Sequence, residues 1–160
     1  ISIFDDDDIR NTLFATDPDG NTYLTKYSGT RGTLADRIPL IRVSELYLNR
    51  AEARAESNNN SGALNDLNFV RVRRGLDAAT GLSGQNLVSE ILEERRREFL
   101  LEGHRFFDLK RKALDIPKPN TDGRSSIDYD GPLNESRLIL APLPNGEVQS
   151  NPLIEQNPGY

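Results

Sequence analysis

From Leu40 onward, apolar residues return along the chain at helical spacing. Leu92, Phe99 and Phe106 stand seven residues apart, and Ile91, Leu100, Phe107 and Leu109 widen the same face, so the pattern predicts a long helix at 86 to 112. Arg95, Glu98, Glu102, Arg105 and Asp108 follow one another at steps of three or four, forming one stripe of alternating charge beside that face. A helix of this kind locks against other helices, and because the stripe borders packed surface its members are expected to form a largely buried ionic and hydrogen-bonded network. Upstream, Leu40, Val43, Tyr47, Ala51 and Arg54 mark a first helix, whose alanines at 51, 53 and 55 admit a close neighbour. Asn58 to Gly62 interrupts it. Ser61 is the expected N-cap of a second helix carrying Leu64, Leu67, Val70 and Val72, and Gly75 stops that helix after the basic turn Arg71, Arg73, Arg74. Such pairs are the unit of tetratricopeptide-like repeats, and one pair alone cannot bury both of its faces.

The flanks read differently. Asp17-Pro18-Asp19-Gly20-Asn21 is dense turn chemistry between Leu13-Phe14 and Tyr23-Leu24-Thr25, and predicts a short hairpin. The same aspartates could open a calcium loop, but Thr22 stands where such a loop needs Gly and Ser28 where it needs an acidic ligand. Asp5 to Asp8 reads as a solvated cap or turn. Beyond Ile116, prolines and glycines break any long element, Leu138-Ile139-Leu140 alone reads as a short buried strand, and Leu133, Leu138, Leu140, Leu143, Val148, Leu153 and Ile154 are the anchors of an ordered tail. The expected architecture is mostly α: one domain over 1–160, with an irregular and hairpin part at 1–38, tetratricopeptide-like helix pairs at 39–112 and a loop-rich Pro/Gly tail at 113–160.

Composition narrows the chemistry. With 25 acidic against 20 basic residues, the latter mixed among carboxylates, the chain presents no nucleic-acid surface. Cys is absent and His104 is the only histidine, which removes thiolate chemistry and Cys/His zinc sites; no cofactor or metal is called for. A di-metal helical site needs Glu three residues before His, and Leu101 stands there. His104, beside Gly103, reads as a packing or capping residue. Glu98 and Glu102 share a face, but flanking Arg95 and Arg105 favour permanent charge over general acid chemistry, so no catalytic residue is assigned. No segment resembles a signal peptide and no Met opens the chain, which suggests a start within a longer protein. Sugar sites stack rings on exposed aromatics. Trp is absent, Tyr47, Phe99, Phe106 and Phe107 fall on packed faces, and Tyr129, within Asp128-Tyr129-Asp130-Gly131, is the one loop tyrosine: first a loop anchor, second a ligand contact.

Four segments together resemble the C-terminal portion of the SusD/RagB family of outer-membrane nutrient-binding lipoproteins: IRVSELYLNRAEARAES at Ile41 to Ser57, ALNDLNFVRVRRG at Ala63 to Gly75, ERRREFLLEGHRFFDLKR from Glu94, and APLPNGEVQSNPLIEQNPGY from Ala141. DIRNTLF and the triplet Thr25-Lys26-Tyr27 extend the likeness upstream. The resemblance implies a helical, tetratricopeptide-like protein on the outer surface of a Bacteroidetes outer membrane, held by an N-terminal lipidated cysteine that this chain lacks. It implies non-catalytic binding of a glycan or another nutrient and a SusC-like TonB-dependent transporter as partner. A helical-repeat module that binds protein instead of glycan is the alternative. Because the upstream segments usually carry much of the ligand site, this chain alone is expected to bind glycan weakly.

Overall fold

In the computed structural model, residues 3–27, 29, 36, 39–117 and 139–157 are described. Helices α1 (Val43–Glu56) and α2 (Asn60–Val72) pack as an antiparallel pair, as the descending register of their contacts requires: Arg54 reaches Gly62, Arg50 reaches Asp66, and Tyr47 stacks on Phe69. α3 (Gly84–Glu98) closes the core over both. Leu48, Ala51 and Ala55 of α1, Ala63, Leu67 and Val70 of α2, and Leu87, Val88, Ile91 and Leu92 of α3 interlock with Phe99, every one of them buried.

Several boundaries differ from the sequence reading. α1 begins at Val43, so Leu40 lies outside it and is 91% exposed, and the buried stripe runs through Leu48, Ala51 and Ala55, with Val43 and Ala53 facing away. Asn59, not Ser61, caps α2: its Oδ1 accepts from the Gly62 N–H at 3.1 Å, while Asn58 turns the chain at φ +60°. Val72, expected on the packed side, is exposed. Gly75 does end α2, at φ +85°. Its N–H reaches the Val72 carbonyl (3.2 Å) and the Leu76 N–H reaches that of Arg71 (3.1 Å), the paired bonds of a Schellman ending.

The largest correction concerns the helix expected over 86 to 112. α3 stops at Glu98; the chain turns through Leu101 (φ +62°) and Gly103 (φ +81°) before α4 (His104–Arg111) begins. A turn in the middle shifts the heptad phase. Phe99 is buried, whereas Phe106 and Phe107, expected in the core, are exposed and meet each other edge to face at 5.5 Å. The chain forms two compact units, Ile1–Glu102 and Gly103–Tyr160, and Arg105 and Asp108 belong to the second.

In the first unit the hairpin forms as expected: β1 (Phe14–Thr16) pairs with β2 (Thr22–Leu24), Phe14 opposite Leu24. Asp17 organises the turn by accepting the Asp19 and Asn21 N–H groups and the Asn21 amide, bonds that hold its carboxyl below the usual range. In the second unit Asp108 and Leu109 of α4 are buried. Its tail carries a short helix, α5 (Asn145–Ser150), and a side-chain clasp in which Gln156 accepts the Leu143 N–H and donates to the Leu143 carbonyl. Ile139 and Leu140 form no strand, Leu140 and Leu153 are exposed instead of anchoring, and Leu133, Leu138 and Tyr129 lie outside the described residues.

Candidate functional site

The site begins with a short arm. Asp8 caps the 3-10 helix Ile9–Leu13 by accepting the Arg10 N–H, and grips the Arg10 guanidinium through both oxygens, with Nη2 to Oδ2 at 2.7 Å. Asp8 was expected in solvent; it is buried, because its partner is buried with it. The Ile9 N–H donates to the Arg74 carbonyl at the end of α2, and a Cβ on Gly75 would stand 2.6 Å from the Asp7 carbonyl oxygen. Only glycine lets the arm cross here. That crossing delivers Arg10 to α3.

At α3 the cations converge on Glu98, whose side chain is 1% exposed. Arg74 engages it bidentately (Nε 2.8 Å, Nη2 2.7 Å), Arg42 Nη1 donates at 2.8 Å, and Arg10 Nη1 at 3.2 Å. Arg42 also donates to the Glu98 carbonyl (2.6 Å) and through Nε to Glu102 Oε2 (3.1 Å), its Nη2 lies 2.9 Å from Glu102 Oε1 as an ion pair, and Lys26 Nζ joins Glu102 at 2.5 Å while also holding the Leu100 carbonyl. Glu94, beneath, places Oε1 2.9 Å from Arg10 Nη1. That oxygen is charge-paired there. Burial pushes the Glu98 carboxyl up. The hydrogen bonds and charge of Arg74, a hydrogen bond with Ser44 and the charge of Arg42 outweigh it and hold the carboxyl at about 2. A group so placed is a permanent anion, suited to fixing geometry and unsuited to proton transfer at neutral pH.

Of the stripe read from sequence, Glu98 and Glu102 sit at this centre. Arg95 is buried nearby, donating to Asn49, and the Arg42 and Arg95 guanidinium carbons each lie 5.2 Å from the centre of the Phe99 ring. Arg105 is half-buried and Asp108 is held by Arg111 (2.8 Å), both in the second unit. Spacing along one helix missed the cations that do reach Glu98 and Glu102: Arg10, Lys26, Arg42 and Arg74. All four nevertheless fall inside the segments that carry the family resemblance.

Two clefts open around these guanidinium groups. One, of about 240 Å³, is lined by Ile9, Arg10, Thr12, Leu13, Lys26, Arg42, Arg74 and Glu98; the other, of about 340 Å³, by Arg42, Val43, Ser44, Phe69, Val70, Arg73 and Arg74. Among the described residues no group of three or more His, Asp or Glu side chains is arranged to hold a metal.

The chain is thus a helical-repeat scaffold with an arm clamped on a buried ionic centre. The SusD family matches residues 16–160, and the chain belongs to that family. It is similar to the SusD-like protein P2 of Formosa agariphila (31% identical over 150 residues, 84% of this chain and 29% of that one) and to the starch-binding protein SusD of Bacteroides thetaiotaomicron (30% identical over 128 residues, 77% of this chain and 21% of that one). The crystal structure of a candidate sugar-binding protein of Bacteroides vulgatus superposes with a TM-score of 0.71 at 31% identity, over 98% of this chain and 36% of that one. The chain thus spans less than a third of the length of either curated relative.

Proposed function

We propose that this chain serves in the non-catalytic capture of an oligosaccharide or another nutrient at the outer cell surface, for delivery to a SusC-like TonB-dependent outer-membrane transporter. The observation that carries this reading is the family match over residues 16–160, with relatives named for starch and sugar binding. The geometry agrees with it: the carboxylates that spacing marked as candidates for chemistry are locked to guanidinium and ammonium groups, so their work is structural. No helix of the described residues is long and apolar enough to cross a membrane, and attachment in this proposal rests on a lipidated N-terminal cysteine outside the chain.

Calorimetric titration with a panel of oligosaccharides tests the reading. Weak, saccharide-dependent heats are expected of the chain, with dissociation constants near the millimolar end of the scale, about 4 kcal/mol of binding. Tight binding abolished by Tyr129→Ala would move the site to that loop. Co-purification of a TonB-dependent transporter with the lipid-anchored protein from outer membranes tests delivery. A second reading, a protein-binding helical-repeat module, is favoured by one feature: Leu40, Ile41, Val43 and Leu46 are exposed at 91%, 72%, 63% and 58% at the start of α1. Binding of peptides and of no glycan would select it.

A further inference from the structure

We propose that the cleft between the start of α1 and the end of α2 takes an acidic sugar, a ring carrying a carboxylate or a sulfate ester; the inference rests on the glycan-binding reading above. The cleft measures about 340 Å³, enough for a single ring. Its charge is layered. No carboxylate lines it: Glu98 and Glu102, with side chains 1% and 4% exposed, sit behind Arg42 and Arg74, whose side chains reach solvent at 27% and 29%. A ligand entering from outside therefore meets cations first.

Arg73 supplies the unspent donor. Its Nη1 donates to the Phe69 carbonyl (2.9 Å), its guanidinium lies 3.5 Å over the Phe69 ring, and it pairs with no carboxylate among the described residues. Nε and Nη2 remain for an oxyanion. Four carbonyls at this end of α2 already accept hydrogen bonds: Arg71 from Leu76 and Arg74, Val72 from Gly75, Arg74 from Ile9, and Phe69 from Arg73 itself. Aromatic stacking, the usual grip on neutral sugars, is closed off. Tyr47 covers one face of Phe69 at 3.7 Å and Arg73 covers the other, so recognition falls to the guanidinium groups, with Val43 and Val70 as apolar walls.

The test compares glucuronate, glucose 6-sulfate and glucose, three probes of one ring size, by NMR titration of the chain at low salt. At least about tenfold tighter binding of one or both acidic sugars than of glucose is expected, with the largest amide shifts at Val43, Arg73 and Arg74 and a loss of affinity as salt is raised. Which of the two anions binds tighter names the charged group. Arg73→Gln should abolish the preference with the melting temperature unchanged, and Arg73→Lys should restore part of it. Binding of glucose equal to that of both acidic sugars overturns this proposal while leaving glycan capture standing. A folded chain that binds neither acidic sugar, or an Arg73→Gln variant that keeps the preference, also overturns it.

Discussion

Asp66 and Glu98 are both nearly buried, at 3% and 4% exposure, and both are gripped bidentately by arginine, yet they do different work. Asp66 is held by Arg50 and Arg54, 16 and 12 residues away within the α1 and α2 pair, and those side chains are 54% and 34% exposed. Glu98 is held by Arg10, Arg42 and Arg74, 88, 56 and 24 residues away, from the arm, the start of α1 and the end of α2. One carboxylate seals the open edge of a helical pair. The other ties three separately built pieces to α3, so its loss leaves several inward-facing cations without a counter-charge at once. Cost should therefore follow the number of elements joined and the depth of the pair more than the number of bonds.

Glu98→Ala is the sharpest way to break the comparison. Removing one partner of a buried pair costs roughly 3 to 5 kcal/mol, and denaturant unfolding should register a loss in that range. A change of a few tenths would mean the arginines relax into solvent and the centre ties nothing. Acid provides the same test without a mutation. The Glu98 carboxyl lies near 2 in the folded state against an ordinary 4.5, so its stabilisation is complete above about pH 4.5 and is lost as pH falls toward 2. The shift corresponds to about 3 kcal/mol. Glu98→Gln should flatten this limb of the pH–stability curve, and an unchanged limb would assign the acid sensitivity elsewhere.

The contrast also explains what was legible in the residues alone. Turn chemistry is local, so Asp17 to Asn21 pointed to the hairpin, and Gly75 after Arg71, Arg73 and Arg74 pointed to the end of α2. Tyr47, Ala51 and Ala55 pack as read, but the start of α1 was misplaced because Leu40 and Val43 continue the same spacing, and periodicity does not carry its own origin. The break after Glu98 was missed because Leu101, at φ +62°, carries no preference for a left-handed conformation; Gly103 alone hinted at it. Steps of three and four identified Glu98 and Glu102. They could not identify Arg10, Arg42 or Arg74, because contacts made across tens of residues leave no period.

Gly75→Ala probes the tie from the other side. The substitution forces a Cβ at φ +85° and against the Asp7 carbonyl oxygen, so the arm must lift or α2 must end differently. The left-handed conformation alone costs an alanine roughly 1 to 2 kcal/mol, and with the clash a loss of about 2 kcal/mol or more is expected. Limited proteolysis should then cut within residues 3 to 13 faster than in the parent chain, since Arg10 leaves with the arm. An alanine variant with unchanged stability and protection would show that the arm is not held by this crossing.

The smallest effect should come from Arg50→Ala. Its guanidinium makes two good bonds to Asp66, Nε at 2.8 Å and Nη2 at 2.8 Å, which by bond count rivals Arg74 on Glu98. The side chain stands at the solvent edge, where water replaces lost donors and salt screens the charge. Arg54, whose Nη1 lies 2.7 Å from Asp66 Oδ2, also keeps the carboxylate partnered. The melting temperature of Arg50→Ala should therefore fall less than that of Glu98→Ala or Gly75→Ala, and the small difference should shrink further in high salt. Arg74→Ala, made in parallel, removes the same two bonds from a carboxylate whose side chain is only 1% exposed, and its larger loss should persist in salt. Equal losses from the two substitutions would mean that hydrogen-bond number sets the cost of losing a partner, and that the depth of Glu98 contributes nothing.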